Sequence, residues 1–190
     1  MARPRGFDED RAIDAAMRAF WTAGYEATST QDLCEATGLG RSSIYNTFKS
    51  KHDLFEKALD RYTEERNAAI AEVLDGPLPI REKIRTLLWQ SVEPHAGDPL
   101  GCLVVNSMIE LAPHDPEIAE RLRRDRDWRT EALRAALDAG RRAGEIGADK
   151  DPRTLADFFV AAVSGMRVAA RGGAGRPTLE SIAATALTVL

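Results

Sequence analysis

Two short helical segments separated by the turn Gly38-Leu39-Gly40 restrict the fold of this chain more than any other feature of its sequence. The first segment runs from about Thr30 to Thr37, and Ser29 is placed to cap its N-terminus. The second runs from Arg41 to Phe48. The glycines permit the positive φ that a tight connection between helices needs, and the leucine can fill the space between the helices. This arrangement predicts a helix-turn-helix.

The rest of the chain also shows helical periodicity, and it lacks β-branched runs with period-two alternation. Asp75-Gly76-Pro77-Leu78-Pro79 is a strong helix breaker, whereas Asp115-Pro116 and Asp151-Pro152 each join a capping residue to a proline suited to a first helical turn. We therefore predict an all-α fold of about nine helices. Besides the two short segments, the expected helices lie at about residues 8–24, 50–74, 80–92, 100–111, 116–143, 155–170 and 178–190.

Charge is unevenly distributed along the chain. The formal net charge is −4 and the pI is about 5.5, so the chain as a whole does not attract phosphates. From Ala36 to Lys51, however, there is no carboxylate, whereas Arg41, Lys49 and Lys51 are present. A basic face on an acidic body is typical of a protein that contacts nucleic acid through one small surface, and an ordinary solvated face is the alternative.

Several classes of protein are not favoured by the sequence. The two cysteines, Cys34 and Cys102, are too few for a disulfide framework and suit a reducing cytoplasm. Neither a membrane span nor a secretory signal is expected. No motif of a hydrolase, nucleotide-binding enzyme or zinc protease occurs, so we expect no enzymatic activity and no cofactor. His95, Cys102, Glu110 and His114 lack the short paired spacings of structural zinc, so we expect no metal site.

The second short helix has an outer face suited to a DNA major groove. Ile44 and Phe48 lie four residues apart and are expected to face inward. Short hydroxyls and an amide on the outer face can reach base edges, while the cations near both ends can hold phosphates. A helix-turn-helix used only for packing is the alternative. The outward residues are Arg41, Ser42, Ser43, Tyr45, Asn46 and Thr47, followed by Lys49 and Lys51.

These motifs resemble the TetR family of transcriptional regulators. The resemblance covers about Asp8 to Tyr62 and is carried by Gly24-Tyr25-Glu26-Ala27-Thr28-Ser29-Thr30, by Gly38-Leu39, and by the run from Arg41 through Tyr45-Asn46-Thr47-Phe48-Lys49-Ser50-Lys51. Gly40 departs from the pattern, since the family usually has Ser or Thr at this cap. Glycine is an acceptable N-cap, at a cost of about a few tenths of a kcal/mol.

The resemblance implies a DNA-binding regulator, most often a repressor, that binds a palindromic double-stranded operator as a homodimer and responds to a small-molecule inducer. It implies phosphate contacts from Ser29, Tyr45 and Lys51, with Thr30 beside them, and base-edge contacts from Ser42, Ser43 and Asn46. Arg3 and Arg5 would form an arm toward the minor groove. The implied domains are an arm and DNA-binding domain over 1–50, a connecting helix over 51–76, and a ligand-binding and dimerisation domain over 77–190.

The C-terminal part carries two apolar helical stripes that fit a four-helix bundle between two subunits, or alternatively the core of a monomer. The expected interface residues are Leu155, Phe158, Ala162, Ile182, Ala186 and Leu190. A ligand pocket is expected between helices of the same part, although each candidate also suits a plain core. The candidates are Leu88, Trp89, Val92, Val104, Met108, Trp128, Phe159 and Met166.

Cys102 offers a different signal. It stands at the expected start of a buried helix, where unpaired N–H groups would stabilise a thiolate, so a redox- or electrophile-sensing repressor is an alternative hypothesis. A small buried hydrophobe is the competing interpretation. A helical interaction module without DNA binding is the remaining alternative.

Overall fold

The structure is a computed structural model that describes residues 5–93, 95 and 97–190, with side chains from Glu9 onward. Within these residues it contains nine α-helices and no strand, which confirms the predicted all-α fold. The helices are α1 (Arg5–Ala23), α2 (Thr30–Thr37), α3 (Arg41–Thr47), α4 (Lys51–Asp75), α5 (Ile80–Val92), α6 (Leu103–Glu110), α7 (Pro116–Arg142), α8 (Pro152–Arg171) and α9 (Arg176–Ala186), followed by a 3₁₀ turn at Leu187–Val189.

The helix ends follow local capping chemistry. Ser29 and Asp32 form a reciprocal capping box at the start of α2, and Gly38 ends that helix in the left-handed conformation with φ 69°. Asp151 accepts a hydrogen bond from the Thr154 N–H at 2.9 Å, and proline lies in the first turn of both α8 and α9.

Four helices have bounds that differ from the expected ones by two residues or more. The first helix begins at Arg5, so Asp8 lies within it and is not its cap. Helices α8 and α9 begin three and two residues early, at Pro152 and Arg176, because proline is tolerated in a first helical turn. Helix α6 is shorter than residues 100–111, and its Met108 and Ile109 are exposed although that segment was expected to be buried on nearly all sides.

The chain divides into two compact units, and neither is a single continuous segment. The first contains the chain up to Glu65 together with Leu103–Ala119, and the second contains Arg66–Cys102 together with Glu120–Leu190. This division differs from the three consecutive segments expected from the sequence. Helix α6 belongs to the first unit because it packs on α1, where the Asn106 side chain donates to the Trp21 carbonyl at 3.5 Å.

Aromatic side chains build the core of the first unit. Phe20 contacts Phe55 edge to face, with ring centroids 5.1 Å apart, and Trp21 contacts Tyr62 in the same way at 5.0 Å. Edge-to-face pairs of this kind add to the stabilisation that comes from burial. They fix α1 against the first half of α4, and that pair of helices supports the helix-turn-helix.

The second unit has a core drawn from α4, α5, α7, α8 and α9. Leu88, Leu137, Phe159 and Met166 are almost completely buried in it, and Ala183 brings α9 close to the other helices. Among the described residues, none of the helices is long and apolar enough to cross a membrane.

Candidate nucleic-acid interface

Helix α3 presents a polar face because its apolar residues anchor it to the first unit. Ile44 and Phe48 are buried, as the sequence predicted. Gly40 is extended at φ −69°, and its carbonyl accepts the N–H groups of Ser43 and Ile44 at 2.9 and 3.1 Å. The side chains left exposed are Arg41, Ser42, Ser43, Tyr45, Asn46 and Thr47.

Tyr45 lies where the exposed surfaces of α2 and α3 meet. Its hydroxyl is 3.3 Å from the Thr30 Oγ1, and the Arg41 guanidinium is 5.8 Å from its ring centroid. The hydrogen bonds with Thr30 and Arg41 hold the pKa of the Tyr45 hydroxyl below its usual range. The side chain is 42 % exposed, so the structure places a fixed hydroxyl on the outer surface, where it can contact a phosphate.

Lys51 is held at the N-terminus of α4 by an aromatic ring. Its ammonium lies 4.3 Å from the centroid of the Tyr25 ring, and that ring packs against Phe55 at 4.9 Å and Phe20 at 6.0 Å. A cation–π contact uses none of the ammonium hydrogens as donors to an oxygen. Lys51 is therefore positioned in advance and can still donate hydrogen bonds to a phosphate.

Glu110, at the end of α6, fixes the loop that carries Tyr25. Its two carboxylate oxygens accept the backbone N–H groups of Tyr25 at 2.9 Å and Glu26 at 2.7 Å. Gly24 precedes this pair at φ 94°, and a Cβ there would lie 3.0 Å from a Glu110 oxygen. The position of the Glu110 carboxylate therefore requires a glycine in the left-handed conformation at residue 24.

A second polar contact ties α4 to the start of α7. His52 Nε2 lies 2.6 Å from a carboxylate oxygen of Asp115, and the other Asp115 oxygen accepts the N–H groups of Glu117 and Ile118. Neither this contact nor the role of Glu110 could be predicted from the sequence, since the partners lie 63 and 85 residues away.

The other residues that were predicted to contact DNA differ in their surroundings. Ser29 is exposed, but its hydroxyl donates to Asp32 at 2.7 Å as part of the helix cap. Lys49 is exposed beside α3. Arg3 lies outside the described residues, and the backbone of Arg5 belongs to α1 instead of an extended arm, because the helix begins there.

An exposed polar recognition helix, a fixed tyrosine hydroxyl and a lysine held at a helix N-terminus define a helix-turn-helix DNA-binding transcriptional regulator. The family model described as "Bacterial regulatory proteins, tetR family" matches residues 12–58, and the one described as "Tetracyclin repressor-like, C-terminal domain" matches residues 82–178. The chain belongs to the TetR family.

Curated and solved relatives agree with this assignment. The HTH-type transcriptional repressor ComR of Escherichia coli (strain K12) is 36 % identical over 97 % of this chain and 90 % of its own length. The uncharacterized HTH-type transcriptional regulator YezE of Bacillus subtilis (strain 168) is 36 % identical over 84 % of each chain. The structure of a cysteine-substituted CifR, a TetR family transcriptional regulator complexed with 26 bp double-strand operator DNA, is similar with a TM-score of 0.86, 32 % identity and 98 % coverage of both chains.

The eight candidate pocket residues are divided between the two units. Val104 and Met108 belong to the first unit, because α6 packs there, and the other six belong to the second. Within the second unit, Leu88, Val92, Phe159 and Met166 are core residues, and Trp89 packs against that core. Trp128 is 41 % exposed and borders a groove between α4 and α7.

The expected dimer residues also separate into two groups. Leu155 and Ala186 are buried in the core of their own subunit, so they do not lie on a free surface. Phe158 and Ile182 are 40 % and 36 % exposed, while Ala162 and Leu190 are partly buried. The helical turn explains the difference, since residues 155, 159 and 166 share one face of α8 and residues 158, 161, 165 and 168 share another. Gly165 and Val168 are also exposed on that second face.

Cys102 is buried immediately before α6 and is not disulfide-bonded. Among the described residues, no group of three or more His, Cys, Asp or Glu side chains could hold a metal ion.

Proposed function

We propose that the protein is a repressor that binds a twofold-symmetric operator as a homodimer and is released by a small molecule bound in its second unit. Its relatives ComR and BdcR of Escherichia coli (strain K12) are named transcriptional repressors, and a cysteine-substituted CifR has a solved structure in complex with operator DNA. These likenesses support the assignment of repression and of an operator to this chain.

The observation that carries the proposal is the prepared surface around α3, with Tyr45 exposed beside it and Lys51 held over the Tyr25 ring. A gel shift on DNA from upstream of the protein's own gene tests it. We expect salt-sensitive binding that weakens in Tyr45→Ala and Lys51→Ala. Lys150→Ala removes the same charge in the second unit and should leave binding unchanged. Equal binding by all four proteins would contradict the proposed interface.

Dimerisation follows from the requirements of DNA recognition and from the exposed face of α8. A single helix-turn-helix makes few contacts, and a dimer places two recognition helices about 34–36 Å apart, one turn of DNA. The exposed Phe158 and Val168 on α8 and Ile182 on α9 supply apolar surface for a twofold interface.

Release by an inducer requires the ligand to bind more tightly to the conformer that binds DNA poorly. Helix α4 is continuous from the first unit into the second, so a shift of this helix would change the separation of the recognition helices. We expect an inducer to lower DNA affinity while the protein stays dimeric in sedimentation. Monomers on induction would contradict this mechanism.

A thiol-based response through Cys102 is the second candidate function. Cys102 lies immediately before the N-terminus of α6, and its burial restricts access by an oxidant. If Cys102 is the sensor, Cys102→Ser abolishes oxidant-induced release from DNA. An unchanged response would assign Cys102 to packing.

A further inference from the structure

The second unit contains a cavity of about 290 Å³ bordered by the end of α5, the end of α8, the start of α9 and the turn before α6. Its volume lies at the lower end of the roughly 300–1,000 Å³ usual for small-molecule sites. The residues that line it and matter here are Ser91, Val92, Gly101, Arg167, Ala170 and Leu179.

Ser91 contributes a buried hydroxyl without a partner. The residue is 5 % exposed, and within the described part of the chain its Oγ has no hydrogen bond. Serine in a helix commonly satisfies its hydroxyl on the carbonyl four residues earlier, which it does not do here. A buried hydroxyl left unpaired costs free energy, so an acceptor in the cavity would be bound favourably.

Arg167 contributes a cation without an acidic partner. It is half-buried, and its one described hydrogen bond is a long one of 3.4 Å to the Gly101 carbonyl. Among the described residues, no carboxylate forms an ion pair with it, whereas Arg176 at the same cavity pairs with Glu93 and Glu180. A partly buried guanidinium with free N–H donors is suited to a planar, bidentate anion.

Apart from Ser91, Arg167 and Arg176, the residues that line the cavity are apolar. Val92 and Leu179 are buried, and Ala170 leaves space where a larger side chain would fill the cavity. An inorganic anion would gain nothing from these walls, but the hydrocarbon part of an organic acid would be removed from water by them.

We propose that this cavity binds a small organic monocarboxylate, with the carboxylate on Arg167 and Ser91 and the hydrocarbon part against Val92 and Leu179. The inference deepens the proposed function, on which it rests for its regulatory meaning, because it names the chemical class of the effector. Binding itself can be measured without DNA.

Isothermal titration calorimetry on the full chain tests the proposal with hexanoate and benzoate as probes. Hexanamide and benzamide are neutral controls of nearly the same shape, and inorganic phosphate tests for an anion without a hydrocarbon part. We expect the carboxylates to bind at least about tenfold more tightly than the amides and than phosphate, because a charge-assisted hydrogen bond is worth roughly that factor or more.

Two variants locate the site. Arg167→Gln should weaken carboxylate binding by roughly 10–100-fold, and Ser91→Ala should weaken it by about 2–10-fold. Arg153 is an exposed arginine on the same helix, and it pairs with Asp157. The control variant Arg153→Gln should bind carboxylates like the unchanged protein. A gel shift and a thermal melt of each variant establish that it is folded.

Equal affinities for carboxylates and amides, retained binding in Arg167→Gln, phosphate binding as tight as hexanoate, or no binding at millimolar concentrations would each overturn the proposal. Carboxylate binding without release from DNA would support the assignment of the cavity. It would contradict the proposal that a ligand in this unit releases the protein from its operator. A chain that fails to bind its upstream DNA without any ligand would contradict the proposed function alone.

Discussion

Tyr25 joins three parts of the DNA-binding unit. Its ring packs on Phe20 and Phe55, the Lys51 ammonium lies over that ring, and its backbone N–H donates to Glu110. Burial, together with the neighbouring charges of Glu26 and Asp115, raises the pKa of its hydroxyl above the usual range, so the ring stays neutral. Tyr25 therefore orients the lysine that we propose binds a phosphate.

Replacement of the ring separates orientation of Lys51 from its charge. We expect Tyr25→Leu to weaken operator binding about 2–5-fold, since a cation–π contact at a surface is worth roughly 0.5–1 kcal/mol. The salt dependence should stay as in the unchanged protein because Lys51 keeps its charge. Gel shifts over a range of salt concentrations measure both quantities.

Lys51→Ala and Tyr25→Phe complete this comparison. The lysine variant should bind DNA more weakly. It should also reduce the slope of log affinity against log salt by the amount that corresponds to about one phosphate contact. The phenylalanine variant keeps the ring and should behave like the unchanged protein. A reduced salt slope in Tyr25→Leu would show that the ring does more than orient Lys51.

At the scale of the elements, α6 is part of the DNA-binding unit through Glu110. Two N–H groups of the loop after α1 have this carboxylate as their acceptor, and the loop leads directly into the cap of α2. A displacement of α6 would release those N–H groups and change the position of the loop. Helix α6 is therefore the element of this unit through which the helix-turn-helix can be disturbed.

Removal of the Glu110 carboxylate should loosen that loop. Glu110→Ala is expected to lower the free energy of unfolding by about 1–2 kcal/mol and to weaken operator binding, because two charge-assisted hydrogen bonds are lost. Glu110→Gln keeps one acceptor oxygen, so its stability and its operator affinity should lie between those of the unchanged protein and those of Glu110→Ala. Urea denaturation and gel shifts measure these effects. Glu117→Ala, which removes an exposed carboxylate of the same unit, is the control, and an equal loss there would argue against a specific role for Glu110.

Asp115 gives the same unit a dependence on pH. Partial burial acts to raise the pKa of Asp115, but hydrogen bonds from the Ile118 N–H and from His52 outweigh it and hold that pKa below its usual range. Because the pKa is lower in the folded state, the ionised carboxylate stabilises the fold at neutral pH. That stabilisation is lost as the pH falls through the folded-state pKa.

Asp115→Asn tests this contribution while it keeps a residue that can cap α7. At pH 7 the variant should be less stable by roughly 0.3–1 kcal/mol, the usual worth of a negative charge at a helix N-terminus. The difference should narrow below roughly pH 4, where the Asp115 carboxylate becomes protonated. Urea denaturation at several pH values measures it, and a difference that widens below roughly pH 4 would contradict the assignment.

Local signals explain which elements the sequence could predict. The bounds of α2 and α5 agree with those expected, because a capping box, a left-handed glycine and a proline-rich breaker define them within a few residues. The outer face of α3 was also predictable, since Ile44 and Phe48 identify the buried side of a short helix.

Contacts between distant segments explain what the sequence could not predict. The stripe of α8 that holds Leu155 and the one that holds Phe158 are both apolar, and only packing against α5 and α9 decides which faces the core. The same holds for Glu110, whose sequence neighbours give no hint of a loop 85 residues earlier.

At the scale of the whole molecule, the net charge of −4 makes DNA binding depend on geometry. The cations between Ala36 and Lys51 are few, so one helix-turn-helix should hold DNA weakly at physiological salt. A dimer that holds two helix-turn-helices at a fixed separation doubles the contacts with DNA. The second helix-turn-helix then binds without a separate association from solution. In the proposed dimer, the surface that fixes this separation therefore controls affinity as strongly as the residues that contact DNA.

Substitutions on the two stripes of α8 should have opposite effects on dimerisation and on stability. Phe158→Arg places a charge on the exposed apolar face, so we expect monomers in sedimentation and operator affinity reduced by about 100-fold or more, with little change in the stability of the isolated subunit. Leu155→Ala removes a buried side chain and should lower the free energy of unfolding by about 2–5 kcal/mol. Its dimers should persist under conditions where it remains folded. A Phe158→Arg protein that stays dimeric would place the interface on another surface, since a guanidinium is not tolerated at the centre of an apolar twofold contact.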